Sequence, residues 1–279
     1  MRSLLILCMV LGLAACGPAA PPASETAAAI PVEQRMGSTP DLGFERAIEV
    51  REFSFPRDHG PHPDYATEWW YFTGNLRTPD GRRFGYQLTL FRIGLKPGAA
   101  TPDSAWRTHQ IYMGHLAVSD VEQRKHHSAE RFARAAAGLA GAELGPLHVW
   151  LGPWSIRGDM DATFPLTLSA EGEDLAIELQ LARGSKPRID QGDRGLSQKG
   201  AAPGNASYYY SFTRLPTQGE IRIGEQRFTV SGDSWFDREW SSSALSADQA
   251  GWDWFALQLA DGRELMYYQL RGKDGQAQV

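Results

Sequence analysis

The chain has 279 residues, 42% of them hydrophobic, and a formal net charge of −5 at pH 7. Scattered charge with a slight acidic excess excludes a phosphate-tracking surface, so no nucleic-acid partner is expected. Cys8 and Cys16 are the only cysteines, and both precede any domain-like sequence, which leaves no disulfide or thiol chemistry for the folded part.

The N-terminus reads as a leader. Met1-Arg2 is a charged start, and Leu4-Leu5-Ile6-Leu7-Cys8-Met9-Val10-Leu11 is an apolar stretch too short for the ~20 residues that span a bilayer. Leu13-Ala14-Ala15-Cys16 places small residues before a cysteine, the pattern that a lipoprotein signal peptidase reads. Residues 1–16 are expected to be a signal peptide, with Cys16 as first mature residue and lipid attachment site; the alternative is an ordinary secretory signal cut nearby. Each buried methylene contributes about 0.8 kcal/mol, and the several chains of a bacterial lipoprotein give stable anchoring. Gly17 in place of Asp resembles lipoproteins sorted onward, so the expected location is the cell envelope, anchored in an outer membrane and facing the periplasm. Residues 17–44, rich in Ala, Pro and Glu without strand or helix period, read as a disordered tether.

Strand signals then dominate. In Glu68-Trp69-Trp70-Tyr71-Phe72-Thr73-Gly74 successive side chains point to opposite faces. Glu68, Trp70 and Phe72 share one face; Trp69, Tyr71 and Thr73 share the other. Rings on both faces require burial on both sides, as in a barrel wall around a roomy apolar interior. Thr78-Pro79-Asp80-Gly81 is a turn, because Pro presets φ and Gly accepts a positive one. Residues 83–92 return with Tyr86 and Gln87 on opposite faces, which makes a hairpin. Further strands are expected over 110–119, 149–156, 166–170 and 174–181. Residues 128–137 have helix-forming composition and are expected to form a short helix or irregular crossing, and residues 186–206 a long loop. The pattern restarts at Pro216 with strands over 220–223, 226–230, 233–240, 252–259 and 264–271.

Several blocks carry a family resemblance: Pro63 to Leu76, Gly195-Leu196-Ser197-Gln198-Lys199-Gly200, Gly204-Asn205-Ala206-Ser207-Tyr208-Tyr209-Tyr210-Ser211, and Trp235-Phe236-Asp237-Arg238-Glu239-Trp240. Over residues 45–271 the chain resembles the lipocalin-like family of AttH and the carotenoid 1,2-hydratases. The fold this implies is all-β, with two consecutive lipocalin-like antiparallel β-barrels: the first over 45–215, the second beginning at 216 and incomplete by residue 279. Family analogy also implies an ABC-type exporter of the MacB kind as partner. In the hydratases the matching region carries Asp followed by His-x-Trp. Here Asp237-Arg238-Glu239-Trp240 keeps the acid and the indole and places Arg238 where the histidine would stand. A downstream Tyr-x-Asp aligns on Tyr267-Tyr268-Gln269 and lacks its acid.

Two places suit chemistry. Glu68 among indoles would be desolvated and hold a proton near neutral pH; alternatively it pairs with an arginine such as Arg92 and fixes the wall. Asp233, Trp235, Asp237 and Glu239 share one face, and clustered carboxyls push one another upward, unless the segment is a solvated strand end. Glu68, Asp237 and Glu239 are therefore the candidate catalytic acids. Trp70, Tyr86, Gln87, Tyr209, Trp240 and Trp254 are the candidate ligand contacts, with Trp252 beside Trp254, although such rings equally suit a core. His59 and His62 with Asp58 and Asp64 sit among Pro56, Gly60, Pro61 and Pro63, a kinked loop rather than a preorganised tetrahedral site; neither metal nor other cofactor is expected. No nucleophile elbow, phosphate loop or dinucleotide fingerprint occurs. The leading expectation is a membrane-tethered protein binding one apolar or lipid-like small molecule. The alternative is a hydratase- or cyclase-type lyase acting on an isoprenoid or polyene.

Overall fold

The structure, a computed structural model, describes residues 43–98, 104–159, 163–243, 245 and 248–278. The expected signal peptide, Cys16 and nearly all of the tether lie outside them. The strands in chain order are β1 (Thr67–Arg77), β2 (Arg83–Gly94), β3 (Gln110–Asp120), β4 (Lys125–Arg134), β5 (Ala140–Glu143), β6 (His148–Leu151), β7 (Trp154–Asp159) and β8 (Thr163–Glu171). They continue with β9 (Leu175–Leu181), β10 (Arg188–Asp190), β11 (Leu196–Gln198), β12 (Ala206–Ile223), β13 (Gln226–Ser241), β14 (Gln249–Gln258), β15 (Glu264–Gly272) and β16 (Ala277–Gln278). Among the described residues the only helical element is a single 3-10 turn, Arg57–His59.

The main sheet runs β4-β3-β2-β1-β13-β12-β9-β8-β7-β6-β5, with β10 and β11 added on β12. Every pairing is antiparallel, and the sheet curls into a nearly closed barrel. The turn at residues 78–81 forms as its residues dictate: Gly81 takes φ +97 and its N–H donates to the Thr78 carbonyl at 3.0 Å. A second sheet, β14-β15-β16, is separate from it.

Four expectations are revised. Residues 125–134 are a strand, because pairing along β3 overrides the local helix preference. The run 149–156 is a hairpin, broken where Gly152 adopts φ +59 ahead of Pro153, which has no N–H for a ladder. The stretch 186–206 contains β10 and β11, both paired with β12. The sheet also continues across position 216: β12 runs unbroken from 206 to 223, and β13 returns to pair with β1. Residues 226–241 thus complete the first barrel, and only β14 to β16 form another sheet.

The barrel interior is full. Trp70, Phe72, Leu88, Leu90, Trp154, Phe236 and Trp240 are each completely buried there, and the Phe72 and Phe236 rings stack at 4.3 Å. A core of this kind is close-packed, with few voids larger than a water molecule. The expected roomy lumen is therefore corrected to a packed one. The rings on the other face of β1 have a different cover, the C-terminal sheet, whose Trp254 meets Tyr71 edge-on at 5.2 Å.

Candidate active site between the two sheets

Glu68 sits at the end of the barrel on the interior face of β1, with no solvent exposure. Arg92, opposite it on β2, and Arg238 on β13 both donate to its carboxylate. The single backbone N–H of His62 is shared between the two oxygens, at 3.1 Å from each. Burial alone would raise the Glu68 carboxyl; the guanidiniums of Arg92 and Arg238, with His62, win and hold it well below the usual carboxylate range. A carboxylate so held is an anion with no proton to give. Glu68 is corrected from candidate acid to the anchor of a charged lattice, which continues through His62 to Asp58 at 3.1 Å and from Asp58 to Arg51 at 2.6 Å.

Three expected ligand contacts belong to the same packed interior. Trp70 donates its indole N–H to the His59 carbonyl at 2.8 Å and lies under the Arg238 guanidinium at 4.0 Å. The Tyr86 hydroxyl pairs with Ser234 Oγ at 2.6 Å. Trp240 stacks on the His62 ring at 3.9 Å, so it does not join Trp252 and Trp254 in one wall. His59 Nδ1 meets the Tyr210 hydroxyl at 2.7 Å; burial, with Arg238 nearby, pushes its imidazole down to about 3.

The opposite face of the same strands builds a site. A cavity of about 360 Å³ lies between the outer wall of the barrel and the C-terminal sheet. Period two brings Trp69 and Tyr71 from β1, Gln87, Thr89 and Phe91 from β2, Ser207 and Tyr209 from β12, and Asp237 and Glu239 from β13 to its floor. Trp252 and Trp254 of β14 and Tyr268 and Leu270 of β15 form its roof, and Lys199 stands at its side. Of the residues singled out by sequence, the structure brings together Asp237, Glu239, Gln87, Tyr209, Trp252 and Trp254. It places Glu68, Trp70, Tyr86 and Trp240 in the barrel core instead. Asp233 turns to Arg214 at 3.1 Å.

Asp237 is 3% exposed. Ser211 Oγ donates to its Oδ1 at 2.5 Å and Trp235 Nε1 to the same atom at 2.6 Å. Burial nevertheless dominates: against the hydrogen bonds of Ser211, Trp235 and Tyr209, and helped by the charge of Glu239, it pushes the Asp237 carboxyl up to about 7. Two donors converge on Oδ1, so Oδ2 is the oxygen better placed to carry a proton. Glu239 is held differently. Lys199 Nζ lies 2.9 Å from its Oε1, and Ser207 Oγ donates to the same oxygen at 2.5 Å. The cavity thus holds one carboxyl that burial raises to about 7 and, beside it, one paired with an ammonium. Burial, with Asp237 and Glu239 near, raises the Tyr209 hydroxyl well above its ordinary value; burial and Asp237 push Tyr71 up to about 12. Both phenols are neutral donors at physiological pH.

Sequence reasoning missed Trp69, Tyr71, Phe91, Lys199 and Tyr268. Trp69 and Tyr71 were visible as the second aromatic face of β1; which face is the barrel interior was not.

A nearly closed antiparallel barrel of this strand order is lipocalin-like. The chain belongs to the AttH-like family, whose profile matches residues 46–279. A solved structure of a candidate AttH from Nitrosomonas europaea is similar at 34% identity and a TM-score of 0.72, over 84% of this chain and 69% of that one. Kievitone hydratase of Nectria haematococca shares the fold at 11% identity and a TM-score of 0.55, over 85% of this chain and 72% of that one. A search of curated proteins finds no match.

Proposed function

We propose that the chain is an acid catalyst of the hydratase or cyclase type, acting on an electron-rich alkene in the cavity between the two sheets. One observation carries the reading: Asp237, buried and poised near 7, is set into a chamber walled by indole and phenol rings. A general acid works best with a pKa near the operating pH. Its proton passes from Oδ2 to one alkene carbon, the π pair forms the new C–H bond, and the neighbouring carbon becomes cationic. Ring faces stabilise such a cation by about 0.5–2 kcal/mol each when desolvated. In hydration, water then forms the C–O bond and its surplus proton returns to Asp237. In cyclisation, a second double bond of the same molecule attacks and a proton is lost to the same carboxylate. The fold it shares with kievitone hydratase is consistent with this class of chemistry but does not name a substrate.

The test incubates the full chain with linear isoprenoid alkenes such as squalene in deuterated water and follows deuterium at carbon by mass spectrometry. Wild-type protein is expected to incorporate it and Asp237→Asn to lose incorporation. Equal labelling by both would overturn the assignment. A carrier that binds an apolar molecule without transforming it would use the same ring-lined walls; retention of the alkene by both proteins with labelling by neither favours it.

The reading extends to location. Cys16, through the Leu13-Ala14-Ala15-Cys16 pattern, would tether the protein to the envelope membrane beside its apolar ligand, with an ABC-type exporter as neighbour. Cys16→Ser is expected to release the protein to the soluble fraction and abolish labelling by radiolabelled palmitate; persistent labelling would rule the anchor out.

A further inference from the structure

We infer that Lys199 is the positioning residue of this site: its ion pair with Glu239 offsets part of the negative charge beside Asp237 and so tunes how firmly Asp237 holds its proton. The inference rests on the reading of Asp237 as the acid and deepens it. Asp237 and Glu239 are two positions apart on one strand, so their side chains share a face. Two anions there would repel, and each would favour a proton on the other.

The geometry prevents that stand-off. Lys199 follows β11, which is fixed on β12 by the pairings Leu196↔Tyr208, Ser197↔Ser207 and Gln198↔Ala206. From there its ammonium reaches Glu239 at 2.9 Å while lying over the Tyr268 ring at 4.5 Å and the Tyr209 ring at 5.3 Å. The pair is largely withdrawn from water, with side chains 19% and 6% exposed, so its field is little screened. The backbone around Lys199 is held from the other sheet: Tyr268 OH donates to the Gln198 carbonyl at 3.1 Å, and Gln249 Nε2 to the Lys199 carbonyl at 3.1 Å. The position of Lys199 beside Glu239 therefore depends in part on contacts from β14 and β15.

Charged and titratable groups face Asp237 from four strands and one connecting segment. β1 brings Tyr71, β12 brings Tyr209, β13 brings Glu239, β15 brings Tyr268, and the segment after β11 brings Lys199. β2 faces it with Gln87 and Thr89 and β14 with Trp252 and Trp254, none of which titrates in this range. Tyr71 and Tyr209 are held neutral, and the Lys199–Glu239 pair supplies the fixed charges of the cavity.

The test is a thermodynamic cycle read on Asp237 itself, by infrared titration of full-length protein carrying 13C-labelled aspartate. Lys199→Met leaves the Glu239 anion uncancelled, and the Asp237 midpoint is expected to rise by about one pH unit. Glu239→Gln leaves the ammonium uncancelled, and the midpoint is expected to fall by about as much. The double variant should return to the wild-type midpoint, and Lys199→Arg should keep it. A merely structural role for Lys199 cannot give shifts of opposite sign that cancel. An unmoved midpoint in Lys199→Met, or single-variant shifts in the same direction, would overturn the inference. Should Lys199→Met not fold, Glu239→Gln decides alone, and a midpoint that fails to fall counts against the inference. A wild-type midpoint in the ordinary carboxylate range would sink the acid assignment instead, while the direction of the variant shifts still judges Lys199.

Discussion

Asp237→Asn is expected to lower turnover by about 10²–10⁴-fold, the contribution typical of a positioned general acid, while leaving the cavity and its ligand in place. The amide keeps an oxygen for Ser211 and Trp235 and has no transferable proton. The same substitution should act on stability in a direction that a damaged fold would not produce. The folded Asp237 carboxyl stands at about 7 against an ordinary 3.8, so between those values the folded state binds more protons than the unfolded one. Stability from this group is full below about 4 and is lost as the pH rises to about 7. The variant has no such dependence. Thermal denaturation should therefore find Asp237→Asn more stable than wild type at pH 8, with the advantage shrinking at pH 4. An unchanged difference between the two pH values would contradict the buried acid.

Glu68→Gln is expected to be the most damaging single change in the barrel. Arg92 and Arg238 share Glu68 with no exposure of any of the three, and removing the anion leaves two buried guanidiniums with carbonyl partners but no paired carboxylate. Breaking a buried pair costs about 3–5 kcal/mol, to be read from urea denaturation. The pH dependence has the opposite sign to that of Asp237. Glu68 lies below its ordinary value when folded, so its stabilisation is present above the unfolded pKa and is lost as the pH falls through the folded one. Acid should unfold wild type more steeply than Glu68→Gln. A loss of less than about 1 kcal/mol would place the pair among weak surface bridges and undo the account of the barrel end.

The contrast between Glu68 and Asp237 shows what the sequence makes legible. Alternation along β1 and β13 divides their residues correctly into two faces: Glu68 with Trp70, Trp69 with Tyr71, Asp237 with Glu239, Arg238 with Trp240. It does not say which face looks into the barrel, because that depends on pairing between strands some 170 positions apart, as in Trp70↔Arg238. Once that register exists, Arg238 falls beside Glu68 and neutralises the more conspicuous acid, while Asp237 turns outward. The outer face becomes a site only because β14 and β15 cover it, and the contact of Trp254 with Tyr71 and Tyr209 has no local sequence signal. The short helix or crossing expected over residues 128–137 fails for a related reason: Ala, Glu and Arg favour helix locally, and the partner that makes 125–134 a strand lies across a turn. Lys199 was in view as part of a family block, without the carboxylate that gives it a role.

The most direct measurement is photolabelling with a small apolar diazirine, followed by peptide mass mapping of the labelled chain. Insertion into Trp69, Phe91, Tyr209, Trp252 and Trp254, suppressed by a bound alkene, is the predicted outcome. Insertion into Trp70, Phe72 and Leu88 instead would mean that the barrel lumen is the ligand chamber, and the site between the sheets would have to be abandoned.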